Sequence, residues 1–348
     1  MKKCVSVAAV LLAAALLFCA CSQDVSYIAE YEGGRIPVSD YSLKMFTAIA
    51  SAGDKTGEAG GGIDAVLEHE IDGAPAGQWI NDEAFRLLKE QLATDAEFER
   101  LGLTLSDRDM AEADAAADKQ WERYSGIYAK NGVSRESLIN ASRSTYKARY
   151  IFAALYGEGG ERELPLETVA DYFDKDYILF RVIGVAKRDK EGEYFEDDEL
   201  EEQLAKAEGY AARLKAGENG DALVAEAEEE LAELLERDLD HSHEPLESHI
   251  SVAKPGELYY SVEVMELIEG LRPGEVEIFE DDDDYYFVVQ RLSAIDDDGM
   301  LLDNRLAVAY DLCLDEFTSY MDQLAETVEL TVNEAALKLC DPRLFTIE

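Results

Sequence analysis

Positive charge is what this chain has least of. Its 348 residues carry 32 lysines and arginines against 76 aspartates and glutamates, a formal charge of −44. A nucleic-acid backbone is bound through a surplus of cationic side chains, so that class of partner is excluded. Electrostatic docking on anionic lipid is disfavoured for the same reason, which leaves covalent or hydrophobic routes to a membrane. Cysteine is scarce too. Of five, three fall within the first 21 residues, and only Cys313 and Cys340 lie beyond them. Those two sit in apolar helical patterns and read as small buried hydrophobes, reduced rather than paired. Past the first twenty residues no apolar run approaches the 18 or so that a membrane-spanning helix needs. Gly-x-Ser-x-Gly, P-loop and dinucleotide fingerprints are absent as well, which disfavours a hydrolase or nucleotide enzyme.

What is present begins at the N-terminus. Lys2 and Lys3 precede an apolar run from Val5 to Phe18, the pattern of a signal peptide. The run ends Phe18-Cys19-Ala20-Cys21-Ser22, which resembles the lipobox of bacterial lipoproteins. Cys21, preceded by the small Ala20, is the residue that this resemblance makes the acylated N-terminus. An ordinary cleaved signal peptide with incidental cysteines is the alternative. The rest of the chain is then expected outside the cytoplasm, held to the membrane by a lipid.

At about 100–200 residues per domain, the length suggests two folded units or one with an insertion. A tether at 21–27 leads to two short strands around Gly33-Gly34, with Ser39 placed to cap a helix. Residues 51–62 hold five glycines and read as a loop. Helical periodicity then runs from Trp79 to Leu101, from Ser106 to Lys130, from Ser134 to Leu155 and from Leu166 to Asp174. At Tyr177 the character changes. Ile178–Val185 is rich in strand formers. Two acidic helices, about 197–216 and 220–237, and a short helix at Val262–Gly270 follow. Two strand-like runs at 275–279 and 285–291, five turn residues apart, read as a hairpin. Residues 301–328 are helical again. The expected architecture is therefore α+β, a mainly helical region at 28–175 with an inserted β-α-α-α-β-β unit at 176–295. A C-terminal segment at 296–348 returns to the helical part.

That unit resembles the parvulin, or rotamase, family of peptidyl-prolyl isomerases. The resemblance lies in Val262–Arg291, with its short helix, Leu271-Arg-Pro-Gly-Glu-Val276 turn and final hairpin, and in Leu214-Lys-Ala-Gly-Glu-Asn-Gly-Asp-Ala-Leu-Val224. The helical part is similar to the chaperone region of SurA and PrsA foldases, in the opening strands at 28–41 and in the helix starts at 101–107, 131–134 and 164–172. The resemblance implies a foldase that acts on unfolded or nascent secreted proteins, without a cofactor, and a homodimer stays open. It also implies two active-site histidines on neighbouring strands. Their places fall on Val182 and Tyr286, neither of which is histidine. Tyr260, Val264, Met265 and Tyr286 are the candidates for an apolar groove that takes proline or aromatic side chains; ordinary core at helical and strand spacing is the other reading. Working but weak isomerase activity is an alternative function. A metal- or solute-binding lipoprotein is another, built on His241-Ser-His243 and His249, since His-x-His can ligate zinc or copper. Without a second pair to fix the spacing, a solvated polar loop is the simpler account of these histidines.

Overall fold

The computed structural model describes residues 24–239, 248–257, 259–281, 284–293 and 298–346. Residue contacts divide the chain into two units: the residues up to Glu161 with those from Cys313 onward, and Arg162–Leu312. The fold is α+β and mainly helical, as the periodicity predicts.

The first unit opens with β1 (Tyr27–Tyr31) and β2 (Gly34–Pro37), an antiparallel pair completed on the other side of β1 by β9 (Thr331–Val332). Helix α1 (Val38–Thr56) starts directly after Pro37, so Ser39 lies inside it instead of capping it. The helix also continues through Gly53, which packs closely on Ala59, and ends at Gly57 in the left-handed region with φ 76°. The loop expected at 51–62 is thereby cut to a few residues before α2 (Gly62–Leu67). A two-residue hairpin, β3 (Glu70–Ile71) with β4 (Ala74–Pro75), leads into α3 (Ala76–Arg100). Two helices follow, α4 (Asp107–Lys130) and α5 (Arg135–Tyr156). Their starts are set by side-chain caps: Ser106 Oγ accepts from Asp109 N, and Ser134 Oγ from Ser137 N. Ile28, Tyr41, Met45, Ile49, Ile80 and Leu88 form the core between the strands, α1 and α3.

The second unit contains α6 (Leu166–Asp176), β5 (Ile178–Ala186), α7 (Asp197–Lys215), α8 (Gly220–Leu234), β6 (Ser251–Ala253), α9 (Val262–Gly270), β7 (Val276–Glu280) and β8 (Tyr285–Leu292). Its sheet is antiparallel throughout, in the order β6-β5-β8-β7. Strand β6 adds an element to the expected β-α-α-α-β-β order; three residues are too few to show a strand period, and its identity comes from pairing with Ile178–Phe180 of β5. One face of the sheet packs on α7 and α8 through Ile183, Val185, Tyr286 and Val288. The other packs on α9 through Phe180, Val289, Val264, Met265 and Ile268. The unit is wider than 176–295 because Val169, Phe173, Tyr177, Leu179, Leu301 and Val308 make a core of their own, which draws in α6 and the start of α10 (Asp298–Glu326).

Residues 313–346 complete the first unit. Tyr320 donates its hydroxyl to Glu97 Oε1 at 2.6 Å, beside the two-point contact of Arg100 with the same carboxylate at 2.7 Å each. Glu97 is 3 % exposed, and a carboxylate so buried is tolerated because these donors answer it. After β9, Asn333 caps α11 (Glu334–Leu337) through Oδ1, while its Nδ2 donates to Asp24 O at 2.7 Å and Tyr27 O at 3.0 Å. Asn131 clasps Thr346 in the same way, with both bonds at 2.8 Å. Cys313 and Cys340 are free and buried, and burial pushes the Cys340 thiol up to about 11.

Asn333→Ala removes a helix cap and two backbone partners, and is expected to cost about 1–3 kcal/mol, read as a lower urea midpoint. Cys313 and Cys340 are expected to ignore a maleimide in the native protein and to react fully in guanidinium; a fast native reaction at either would contradict their burial.

Candidate functional site

The candidate residues fall on the two faces of the second unit's sheet, so the register between β5 and β8 decides which of them can act together. Val182 stands opposite Val289, Gly184 opposite Phe287, and Val185 opposite Tyr286. Side chains alternate along a strand, so Phe180, Val182 and Gly184 share a face with Phe287 and Val289. Tyr286 is on the other face, among Ile183, Val185, Tyr210 and Val288 under α7 and α8. The structure therefore separates Val182 from Tyr286. The residue of β8 that joins Val182 is Phe287, one position along.

Around that pair lies a cleft of about 190 Å³, entirely within the second unit. Val182, Gly184, Phe287 and Tyr260 form one wall, and Glu228 and Leu231 of α8 face them. The wall is aromatic. Tyr260 meets Phe287 edge-on at 5.7 Å between centroids and Phe180 at 6.2 Å, and Phe287 stacks on Tyr285 at 5.5 Å. Such arrangements match the positive edge of one ring to the negative face of another. Burial, and then the nearby Glu228 carboxylate, push the Tyr260 hydroxyl above its ordinary range, so at neutral pH it is a protonated donor. Val264 and Met265 are 0 and 2 % exposed, packed beneath the sheet against Ile178, Phe180 and Val289. They support the wall and cannot touch a ligand without movement of α9. Of the four groove candidates, Tyr260 alone lines the cleft.

Behind it, on the α7 and α8 side, runs a buried polar network. Arg181 donates to Asp221 Oδ1 at 2.8 Å and to Gln290 Oε1 at 2.9 Å. Gly220, beside this guanidinium, is required there, because a β-carbon would overlap it. His249 donates its backbone N–H to the same Asp221 oxygen at 2.8 Å, and its ring nitrogens lie 4.0 Å from Asp221 and 3.9 Å from Glu228. His241, His243 and Cys21 lie outside the described residues. Among the described residues no group of three or more His, Cys, Asp or Glu is placed to hold a metal ion.

A second concavity, of about 620 Å³, lies in the first unit. Ile36, Leu88, Leu92, Phe98, Leu105 and Met110 line it, and polar groups including Asp95, Arg143 and Lys147 share the lining. Lys147 donates to Asp95 at 2.6 Å and stands over the Phe98 ring. Periodicity alone does not single out this groove, because its apolar side chains come from β2, α3, the loop that follows α3 and the start of α4.

The chain is similar to bacterial PrsA foldases. Among solved structures it matches the foldase protein PrsA from Streptococcus pneumoniae, at 13 % identity over 79 % of this chain and 98 % of that one, with a TM-score of 0.34. It matches PrsA from Bacillus subtilis at 13 % identity over 87 % and 90 %, TM-score 0.31. The foldase protein PrsA from Lactococcus lactis matches at 13 % identity over 92 % and 99 %, TM-score 0.35. No protein-family model and no curated protein matches the chain. Among the described residues no helix is long and apolar enough to cross a membrane.

The two faces make opposite expectations for two adjacent substitutions. Tyr286→His places an imidazole among aliphatic side chains under α7 and α8, and should lower stability by about 1–3 kcal/mol. Phe287→His, half-buried at the cleft, should cost clearly less. Urea denaturation of the two variants checks the ranking, and the reverse order would overturn the register.

Proposed function

We propose that this chain is a membrane-anchored extracytoplasmic chaperone that holds unfolded secreted proteins by their apolar segments. In this reading its α+β unit serves binding and does not catalyse prolyl isomerisation. The observation that carries the reading is the chemistry of the cleft. The rotamase resemblance puts its two imidazoles at Val182 and Tyr286. Val182 is hydrocarbon, Tyr286 is on the other face of the sheet, and the β8 side chain that lines the cleft with Val182, Phe287, is hydrocarbon too. Acceleration of rotation about a peptide bond requires groups that favour the twisted amide over the planar forms, against an intrinsic barrier of about 18–20 kcal/mol. An aromatic wall holds planar cis and planar trans segments alike, which is binding without catalysis. The larger groove of the first unit, apolar with charged groups around it, suits extended chain of mixed sequence. Acyl attachment at Cys21 would keep the protein where secreted chains emerge, and the net charge of −44 would keep complexes soluble and favour basic stretches of clients.

A second reading is favoured by Tyr260, whose protonated hydroxyl lies at the cleft near Glu228. One such donor to the rotating amide would give weak isomerase activity.

Exchange spectroscopy of a short Ala-Pro peptide with the mature chain separates the two. No enhancement over buffer is expected, together with suppressed aggregation of a reduced, unfolded client at near-stoichiometric amounts. Exchange that is enhanced by the native chain and lost in Tyr260→Phe would establish the weak enzyme instead. Absence of any effect on aggregation at tenfold excess would sink the chaperone reading.

A further inference from the structure

The first unit exposes an apolar patch beside the start of β1. Val25, Leu339 and Leu344 are 39, 63 and 66 % exposed, and all three line a shallow cavity of about 250 Å³ with Val38, Ala336 and Phe345. The last two of the three follow α11, in the segment tied to Asp24 and Tyr27 by Asn333 and, through Thr346, to Asn131 at the end of α4. Lys130 also lines the cavity, and Lys338 directly precedes Leu339. Both lysines are exposed, and neither has a carboxylate within ion-pair distance among the described residues. The one arginine nearby, Arg343, is paired with Asp341. Exposed leucines grouped around a cavity, with cationic groups at the edge, are the marks of a surface that meets something apolar with an anionic rim.

The chain itself limits what that can be. Cys21 precedes Val25 by four residues, and four fully extended residues span at most about 14 Å. With an acyl group on Cys21 seated in the bilayer, Val25 cannot leave the neighbourhood of the headgroups. Leu339 and Leu344, around the same cavity, are held there with it. A chain with an excess of 44 negative charges would otherwise be repelled by an anionic leaflet.

We propose that Val25, Leu339 and Leu344 dock on the outer surface of the membrane, their side chains at the acyl boundary and Lys130 and Lys338 among anionic headgroups. The inference rests on the reading of Cys21 as the lipid anchor. It fixes which face of the first unit meets the bilayer, and so leaves the unit's other surfaces to clients.

The test uses the full chain with its native anchor, reconstituted in vesicles containing phosphatidylglycerol and carrying a nitroxide at Leu344→Cys. Cys313 and Cys340 are buried and do not compete for the label. In vesicles the label should become several-fold more accessible to oxygen than to a water-soluble nickel chelate, while a label at Tyr194→Cys in the second unit stays in water. Leu339→Asp should abolish that protection without releasing the acylated chain from the vesicles. A label at 344 that remains in water, on a chain that floats with the vesicles, overturns the docking and leaves the anchor standing. An intact mass without the acyl group at Cys21 overturns the anchor and the docking with it. Protection that grows with protein concentration in the absence of vesicles assigns the patch to a second copy, which also overturns the proposal.

Discussion

The structure depends on a closure between chain ends. Asn333 bonds the carbonyl of Tyr27, 306 residues earlier, and β9 completes a sheet that β1 begins. Until residues 313–346 return, β1 has an open edge, Glu97 lacks the Tyr320 hydroxyl, and Asn131 at the C-terminal end of α4 lacks its bonds to Thr346. The entropy of such a closure grows only logarithmically with the length between, about 0.6 kcal/mol per doubling, so a long insertion is tolerable in principle. The inserted unit reduces even that cost by its own topology. Leu179, near its entry, is the register partner of Leu292, near its exit, so the chain leaves the sheet beside the point at which it entered. Antiparallel pairing of the first and last strands is what lets 151 residues stand between two halves of one helical core.

Within the inserted unit the two faces of the sheet divide the chemistry. Polar side chains collect on the α7 and α8 face, where the two terminal nitrogens of Arg181 bond Gln290 and Asp221 and its Nε is buried without a partner among the described residues. Leaving such a buried guanidinium without its carboxylate would cost several kcal/mol, so the group acts as a lock on the position of α8. The α9 face keeps almost none of this polarity. Its side chains are aliphatic below, at Val264, Met265 and Ile268, and aromatic towards the cleft. A preorganised site for twisted amides needs donors fixed at the reacting bond, and those must in turn be held by other polar groups. Here the Arg181 network is engaged on the opposite side of the strands, and the polar groups that line the cleft are Tyr260, Glu228, Arg237 and Asp238.

This division also explains which parts of the structure could be read from residue order. Helices with a strong punctuation mark were legible: Ser106 and Ser134 cap where a cap is needed, Asn219 does the same for α8, and Val262–Gly270 has the expected bounds. The face of β8 was not. Tyr285-Tyr-Phe-Val-Val is apolar at every position because both sides of the strand are covered, and a strand without alternation carries no mark of its register. In such a strand adjacent residues, here Tyr286 and Phe287, lie on opposite faces, and the residue pattern does not say which of them shares a face with Val182. Strands β6 and β9, of three and two residues, are likewise unreadable, since they exist only through their partners. Gly53 misled for a different reason: it reads as a loop residue, yet it lies within a helix, where it packs closely on the backbone of Ala59 and a side chain would be crowded.

The charge of the chain adds a last constraint. Ion pairs such as Arg143–Asp114 and Arg213–Glu226 engage a good part of the few cations, and exposed pairs of this kind contribute little each. With 76 carboxylates against 32 cations the surface carries a large excess of negative charge, and its repulsion acts over roughly 8 Å at physiological salt. Two acidic proteins, or this one and an anionic membrane, are kept apart except where apolar contact outweighs repulsion. In the chaperone reading, an unfolded client that carries positive charge would be drawn in by the same field and would then make apolar contact at the cleft and the groove. In that reading acidity would select what comes near and the apolar concavities would hold what arrives, and because screening weakens only the first step, capture should depend on salt more than retention does.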